Sequence, residues 1–452
     1  MQGKKVLIIG AAKSGIAAAS FLVEMGAEVY LNDIRLPEDI GKEEIALLQR
    51  NGVKVLFGKH FSLRGFLPEF IIISPGVPLS IPPVLEAKSK GIPVWSEIEL
   101  AFRYCKAPVV AVTGTNGKTT TTALLGQMFS DRGIKTFVGG NIGVPFISES
   151  NKLNADDLAV IEASSFQLET IELFKPKVAI ILNLTPDHID RHGSFEGYIK
   201  AKSQIFKNQE NVDWLILNWD DHETKKLACQ AKARKMYFSR KEKLAEGCYV
   251  EDGIIKINRE GKTIPIIATK NILIKGNHNV ENVLAAAAAA TIIGVEPKSL
   301  EKTLKTFPGV EHRLEKVLIH RGIEYVNDSK GTNPDASIKA IEAYGCPIIL
   351  IAGGKNKGSD FTEYAHAIKK RVKKVILLGQ AAAEIEKALK AIGYDQYINV
   401  SDYQEAVKEA CKAALPGDVV LLSPACASWD MFNNYEERGR LFKKIVREIA
   451  VD

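Results

Sequence analysis

The stretch that most constrains this chain is AVTGTNGKTTTT, Ala111–Thr122. An apolar run, PVVAVTG, leads into a glycine-bearing turn, and a lysine followed by hydroxyl residues opens what reads as a helix. Strand, amide-rich turn and helix N-terminus in that order make a cradle for phosphate oxygens. Such a unit belongs to layered α/β folds, whose loops leave the carboxyl ends of parallel strands. The common phosphate loop, G-x-x-x-x-G-K-[ST], places a glycine six positions before the lysine. Here Lys118 has Val112 at that position, with Gly114 and Gly117 nearer. The backbone of Gly114, Thr115, Asn116, Gly117 and Lys118 is expected to surround a triphosphate. Lys118 would supply a point charge, and Thr119 or Thr120 would face a magnesium ion.

Short apolar runs alternate with helical stretches along all 452 residues, which predicts α/β layering with parallel sheets. Three blocks emerge: 1–97, a Rossmann-like N-terminal domain; 98–308, a central P-loop ATPase-type α/β domain; and 309–452, a C-terminal Rossmann-like α/β domain. The first opens with KVLIIGAAKSGIAAASFLVEMGAEVYLND, a strand, glycine turn, helix and strand ending in Asp33. Gly10 and Gly15 fit the dinucleotide fingerprint, but Ala12 replaces the glycine that lets a backbone approach a pyrophosphate. A nucleotide handle fits this block better than hydride chemistry. A second turn, IIISPGVP, brings Ser74 to the end of another buried strand.

In the central block two apolar runs end in polar groups. LAVIEASSFQLE delivers Glu162, and KVAIILNLTPDHIDRHG delivers His188 between Asp187 and Asp190. Either alone would be an ordinary turn residue, whereas two on the sheet that carries the phosphate loop point to a metal site. In SFEGYIKAKSQIFKNQ, Ser194 suits a helix N-cap, and Phe195, Tyr198, Ile199 and Phe206 follow helical spacing. Lys202 lies on the same stripe, while Lys200 and Lys207 point elsewhere. An inward lysine is uncommon unless paired or used. Asn279 and Asn282 stand three apart in GNHNVENVLAAAAAAT, on one helical face. In the last block, strand-loop units offer Asp328, Lys330, Thr332, Lys357 and Ser428, and this domain is expected to close over the central one.

Composition excludes other classes. A net charge of +6 with 46% hydrophobic and 25% charged residues is that of an ordinary globular protein. The densest basic run, KKRVKK at Lys369–Lys374, reads as a solvated helix end, and no basic groove interleaved with aromatics marks a nucleic-acid partner. Six cysteines without a C-x-x-C pair suggest reduced thiols and no structural zinc. The first residues run straight into a strand, and the most apolar stretch, Val283–Ile293, is half a membrane span. A cytoplasmic protein without a membrane partner is expected, acting as a monomer on small molecules.

TGTNGKTT, EASSFQLE, DHIDRH, YIKAK, GNHNVENVLAA, EHRLE, NDSKGTNPDA and SPACASWDMFNNYEERG together, in this order, resemble the Mur ligases, the ATP-dependent amide-forming enzymes of peptidoglycan synthesis. The resemblance covers the whole chain, and the shorter phosphate loop is the form that family uses. It implies transfer of the ATP γ-phosphoryl group to the alanine carboxylate of UDP-N-acetylmuramoyl-L-alanine, then attack on the acyl phosphate by the amine of D-glutamate. Lys118 and magnesium would neutralise the triphosphate; Glu162 and Thr119 or Thr120 would hold one ion and His188 a second. The position of Lys202 carries a carbamylated lysine in the family. Asn279, Asn282, Arg313 and Asp328 match its ATP contacts. Lys330, Thr332, Lys357, Ser428 and Tyr435 match the glutamate site. Lys13, Ser14, Asp33, Arg35, Ser74 and Asn141, with His188, match the region that holds the UDP-sugar.

Tyr435 stands where the family pattern has phenylalanine, and Trp429 where a leucine-like residue is usual. Folylpolyglutamate synthetases share the two later domains but lack the Rossmann-like first block. A GTPase switch would need N-K-x-D, which NKGSD misses by one residue.

Overall fold

The computed structural model describes residues 1–451. Among these residues three sheets form from the apolar runs. The first orders its strands Lys54–Phe57, Glu28–Asp33, Lys5–Ile9, Phe70–Ile73 and Val94–Ser96, all parallel. Phe70–Ile73 is buried at every position, as expected of a parallel strand covered on both faces.

The second sheet positions the phosphate loop. Val109–Thr113 lies between Leu158–Glu162 and Val178–Ile181, parallel to both, with Val112 beside Glu162 and Thr113 beside Ile181. Three carboxyl ends therefore share one rim. Thr136–Gly140 flanks this group on one side; Trp214–Asn218, Arg234–Ser239 and Gly247–Glu251 extend it on the other. The far edge turns antiparallel through Ile254–Arg259 and Lys262–Ala268. Asp252 and Gly253 make the first of these turns, both with positive φ (53° and 69°). That is the type I′ geometry whose twist matches paired strands.

The third sheet orders Glu315–His320, Ile323–Asn327, Val419–Leu422, Ile348–Gly353, Val372–Leu378 and Tyr397–Asn399. Its first pair is antiparallel and the rest are parallel.

The chain divides into two compact units, Met1–Ala268 with Asn282–Thr303, and Thr269–Glu281 with Leu304–Asp452. The first two sheets share a unit because one apolar core runs through both. Phe21 and Leu22 of helix Lys13–Glu24, Ile98 and Ala101 of helix Glu97–Tyr104, and Phe146 and Ile147 all belong to it. Two carboxylates work at this seam. Glu97, fully buried, accepts from the Ile147 N–H at 2.6 Å, while its Oε2 has no hydrogen-bond partner. Burial pushes this carboxyl up to about 7, against the lowering effect of the Ile147 and Phe146 amides. Glu99 accepts from the N–H groups of Glu172, Leu173 and Phe174.

Helix Asn277–Ile292 carries the alanine run, and every residue from Val283 to Ala290 has no exposed surface. Among the described residues no helix is long and apolar enough to cross a membrane.

Candidate active site

At the carboxyl end of Val109–Thr113 the chain turns through Gly114–Gly117 into helix Lys118–Asp131. Gly117 has φ +88°, and a Cβ there would lie 2.2 Å from Asn282 Oδ1. Only a glycine tolerates both that backbone and that approach. The loop is fixed by its neighbours. Asn116 N–H donates to Asn183 Oδ1 at 2.9 Å, and Asn183 Nδ2 donates back to the Asn116 carbonyl. Thr115 Oγ1 donates to the Thr185 carbonyl and accepts from Thr185 N–H, both at 3.0 Å. The Tyr198 hydroxyl donates to the same oxygen at 3.2 Å.

Glu162, buried at the end of its strand, meets two groups from other elements. Thr119 Oγ1 donates to Oε2 at 2.8 Å, and Asn141 Nδ2 donates to Oε1 at 3.1 Å. Of the two threonines expected near a metal, Thr119 makes this contact, while Thr120 is buried on the same helix. A hydroxyl and a carboxylate converging beside a helix N-terminus are hard oxygen donors, which is the donor chemistry magnesium selects. Lys118 Nζ donates to the carbonyls of Gly114 and Thr115, each at 2.8 Å.

Lys202 is 2% exposed. Its Nζ donates to the Gly114 carbonyl at 2.8 Å and lies 4.7 Å from the centre of the Tyr198 ring. Burial, and then the charge of Lys118, hold its ammonium well below the ordinary lysine range, opposed by Asp187 and Glu162. Two lysines thus converge on one carbonyl. His188 has a left-handed backbone, φ 53°. Its Nε2 is 3.7 Å from Asp187 Oδ2, and its ring meets the Phe166 ring at 4.9 Å. His192 ends the short helix Ile189–His192, which His188 precedes as N-cap; it stacks on Phe166 and reaches Ser165 Oγ at 3.0 Å.

A 360 Å³ cavity opens at the carboxyl rim of the first sheet, with Gly10, Ala12, Asp33, Arg35, His60 and Ser74 in its wall. A Cβ on Gly15 would lie 1.9 Å from the Gly10 carbonyl oxygen, so the tight turn needs that glycine, whereas Ala12 is exposed and accommodated. Burial would raise the Asp33 carboxyl, but Arg35, bonded through its side chain and amide, and the Ala11 amide bring it below the ordinary range. Ser74 Oγ donates to the Gly10 carbonyl at 2.7 Å. Lys13 is exposed and Ser14 half-buried in the first turn of the adjoining helix. Asn141 is placed with Glu162 instead.

In the C-terminal unit, Asp328 is buried and bonded to Ser423 Oγ at 2.8 Å and to Leu314 N–H. Burial pushes its carboxyl up to about 6, with Arg313 pulling it down. Arg313 lies between two residues of positive φ, His312 (64°) and Leu314 (45°). Lys443 donates to both Glu311 and Glu315. Its ammonium therefore already supplies the cation for the Glu311–His312–Glu315 cluster. Lys330 Nζ sits 5.2 Å from the centre of the Tyr435 ring, and Thr332 N–H donates to the Lys330 carbonyl. Ser428 is buried and Lys357 half-buried on neighbouring loops. Asn279 Nδ2 donates to the Lys275 carbonyl at 2.7 Å.

Three family models match in chain order: the Mur ligase MurD-like N-terminal domain over 4–96, the Mur ligase middle domain over 112–290, and the Mur ligase glutamate ligase domain over 312–426. The chain belongs to the Mur ligase family. Among its relatives is a protein named UDP-N-acetylmuramoylalanine–D-glutamate ligase from Pelotomaculum thermopropionicum, 49% identical over 98% of this chain and 97% of that one. One of the same name from Alkaliphilus oremlandii is 47% identical over 99% of each. The solved UDP-N-acetylmuramate-alanine ligase from Thermotoga maritima has a TM-score of 0.62 at 20% identity, covering 99% of this chain and 100% of that one. A MurF ligase from the same organism, in complex with ADP, gives 0.61 at 17% identity over 93% and 95%. These two likenesses establish the three-domain Mur ligase fold.

Several supporting side chains escaped the sequence reading. The Tyr198 hydroxyl counted only as part of an apolar stripe, although it lies four residues before Lys202 on the same face. Asn183 sits 67 residues from Asn116, the partner it grips, and no local signal joins the two.

Proposed function

We propose that this Mur ligase is an ATP-dependent ligase joining the amine of D-glutamate to the alanine carboxylate of UDP-N-acetylmuramoyl-L-alanine. Domains bounded at 1–97, 98–308 and 309–452 would serve the UDP-sugar, ATP and glutamate in turn. The observation that carries this most is the 2.8 Å contact between Thr119 and Glu162 beside the glycine loop, in a chain whose relatives bear that ligase name.

A carboxylate is a poor electrophile, so it must first be activated. One of its oxygens bonds to the γ-phosphorus as the bond to the β-phosphate oxygen breaks, giving ADP and an acyl phosphate. The neutral amine of glutamate then bonds to the acyl carbon, the bond from that carbon to the phosphate oxygen breaks, and the nitrogen gives up one proton as inorganic phosphate departs. Two anions must meet in the first step, so positioning and charge neutralisation carry most of the catalysis. Lys118 would move from its two carbonyl acceptors to the triphosphate. Thr119 and Glu162 would hold magnesium, which when bound offsets phosphate charge, and His188 would serve a second ion. Asn279, Asn282, Arg313 and Asp328 would hold ATP. The 360 Å³ cavity with Asp33, Arg35 and Ser74 suits a uridine nucleotide, beside Lys13 and Ser14. Asn141 would meet the sugar's distal end, near Glu162. Lys330, Thr332, Lys357, Ser428 and Tyr435 would hold glutamate. The reaction would take place in the cytoplasm, with the chain acting as a monomer.

Lys202 would be carbamylated. Desolvation favours its neutral amine, whose nitrogen can add to the carbon of carbon dioxide, lose a proton and become an anion. That puts beside Lys118 an anion that attracts magnesium, where the ammonium would repel both. The test is phosphate release with ATP, magnesium and UDP-N-acetylmuramoyl-L-alanine. Release should need D-glutamate and be absent with L-glutamate; release indifferent to the amino acid overturns the assignment. Lys202→Ala should lose activity and regain part of it with small carboxylates. Normal turnover of that variant in carbon-dioxide-free buffer would leave the lysine purely structural.

A further inference from the structure

We infer that Arg438 is a positioning residue that holds the glutamate-binding loops in register without itself touching the substrate. This rests on the assignment of Lys330, Thr332, Lys357, Ser428 and Tyr435 to glutamate. Arg438 lies on helix Tyr435–Val451 and is 1% exposed. Its Nε donates to Ser329 Oγ at 3.0 Å, and its Nη2 donates to the Ser329 carbonyl at 2.8 Å and the Cys426 carbonyl at 3.2 Å. Ser329 Oγ in turn donates to the Tyr435 carbonyl at 2.8 Å. Nη1 points toward Gly354, where a Cβ would lie 3.3 Å from it. The Tyr403 hydroxyl donates to the main-chain carbonyl of Arg438 at 3.1 Å.

One planar group therefore ties Ser329, next to Lys330, to Cys426, two residues before Ser428, and through Ser329 Oγ to the start of its own helix at Tyr435, while Nη1 lies beside Gly354, three residues before Lys357. These are the loops that bear the proposed glutamate ligands. Energetically the arrangement is unusual. Among the described residues no carboxylate lies within ion-pair distance of Arg438, whose hydrogen-bond acceptors are all neutral, and its Nη1 has no hydrogen-bond partner. A buried, unpaired cation is costly. Asp430 and Asp328 act on it only through space. Stability alone would favour an apolar residue on the helix, so the guanidinium is kept for the geometry it imposes on the Ser329 and Cys426 loops at once. Lysine cannot replace it, because an ammonium lacks the rigid fork that presents Nε to Ser329 Oγ while Nη2 meets the two carbonyls.

Two variants test this, with KM measured separately for glutamate, ATP and UDP-N-acetylmuramoyl-L-alanine by phosphate release, alongside kcat and melting temperature. Arg438→Lys keeps the charge but loses the fork. Ser329→Ala keeps the arginine and removes the oxygen that links it to Tyr435, so the test stands even where the lysine variant fails to fold. A lost hydrogen bond of ordinary strength predicts a glutamate KM raised about threefold to tenfold in Ser329→Ala, and further in Arg438→Lys. The other two KM values should stay within about twofold, a difference well below one hydrogen bond. Unchanged glutamate KM in Ser329→Ala overturns the inference, as does a proportional rise of all three KM values with a falling melting temperature. Wild-type protein that releases no phosphate in response to glutamate would instead refute the underlying assignment.

Discussion

Glu97→Gln should make the first unit more stable, and by an amount that grows with pH. The wild-type carboxyl is fully buried, has one oxygen on the Ile147 N–H and leaves the other without a partner. Its folded pKa stands near 7 against an ordinary 4.5, with burial as the leading cause. Below pH 4.5 the folded and unfolded chains both hold the proton. Between 4.5 and 7 only the folded chain retains it, so folding stability declines as pH rises, and above 7 the loss is complete. A shift of that size corresponds to about 3 kcal/mol. Glutamine keeps the acceptor for Ile147 and cannot titrate; any offset from its amide group is independent of pH. The difference between variant and wild type should therefore widen by about 3 kcal/mol from pH 4.5 to pH 8, or about 6 °C in melting temperature for a unit of this size. No neighbouring charge contributes to the shift, so the widening should be nearly insensitive to salt. Melting curves of both proteins across this range decide it. A gap that stays constant, or narrows with pH, refutes the reasoning.

Lys118→Ala should abolish phosphoryl transfer while costing only about 1–2 kcal/mol of stability, the ordinary worth of two hydrogen bonds to loop carbonyls; near-normal turnover would remove the phosphate-loop assignment. Calorimetry should show UDP bound more tightly than NAD, since Ala12 stands at the nicotinamide-fingerprint glycine and Arg35 and Ser74 line the cavity; tighter NAD binding would reverse that assignment. Gly15→Ala should abolish UDP binding and cost about 1–3 kcal/mol, the range for forced overpacking, because its Cβ would collide with a backbone oxygen 1.9 Å away; a variant that binds UDP normally would show that the turn can relax.

The sequence discloses what is periodic or local. Lys202 on the inward stripe is buried, whereas Lys200 and Lys207 are exposed. Ser194 caps its helix by accepting from Gly197 N–H at 3.1 Å. That helix ends at Ser203 and tightens into a 3₁₀ turn through Phe206, an end that apolar spacing alone does not mark. Asp252-Gly253 is a turn signal in its own right, yet it lies in an antiparallel edge that alternation of strands and helices does not announce. Tertiary pairings were the hidden part. Arg438 and Ser329 are 109 residues apart, and Thr119 and Glu162 are 43 apart; only the order of strands in a sheet brings such partners together. Thr269–Glu281 groups with the C-terminal unit, although its composition resembles its surroundings.

The alanine run from Ala285 to Ala290 has no exposed side in any direction. Most helices leave a solvent face on which sequence can drift, so their history is written as a stripe of constancy beside a stripe of change. This one has no such free margin over more than a full turn of 3.6 residues. Each position is bounded above by the space around it and below by the methyl group already there. Drift in this part of the chain is confined to near-identical volumes, which makes the segment a poor place for a probe, tag or cross-linker and a slow clock among related chains.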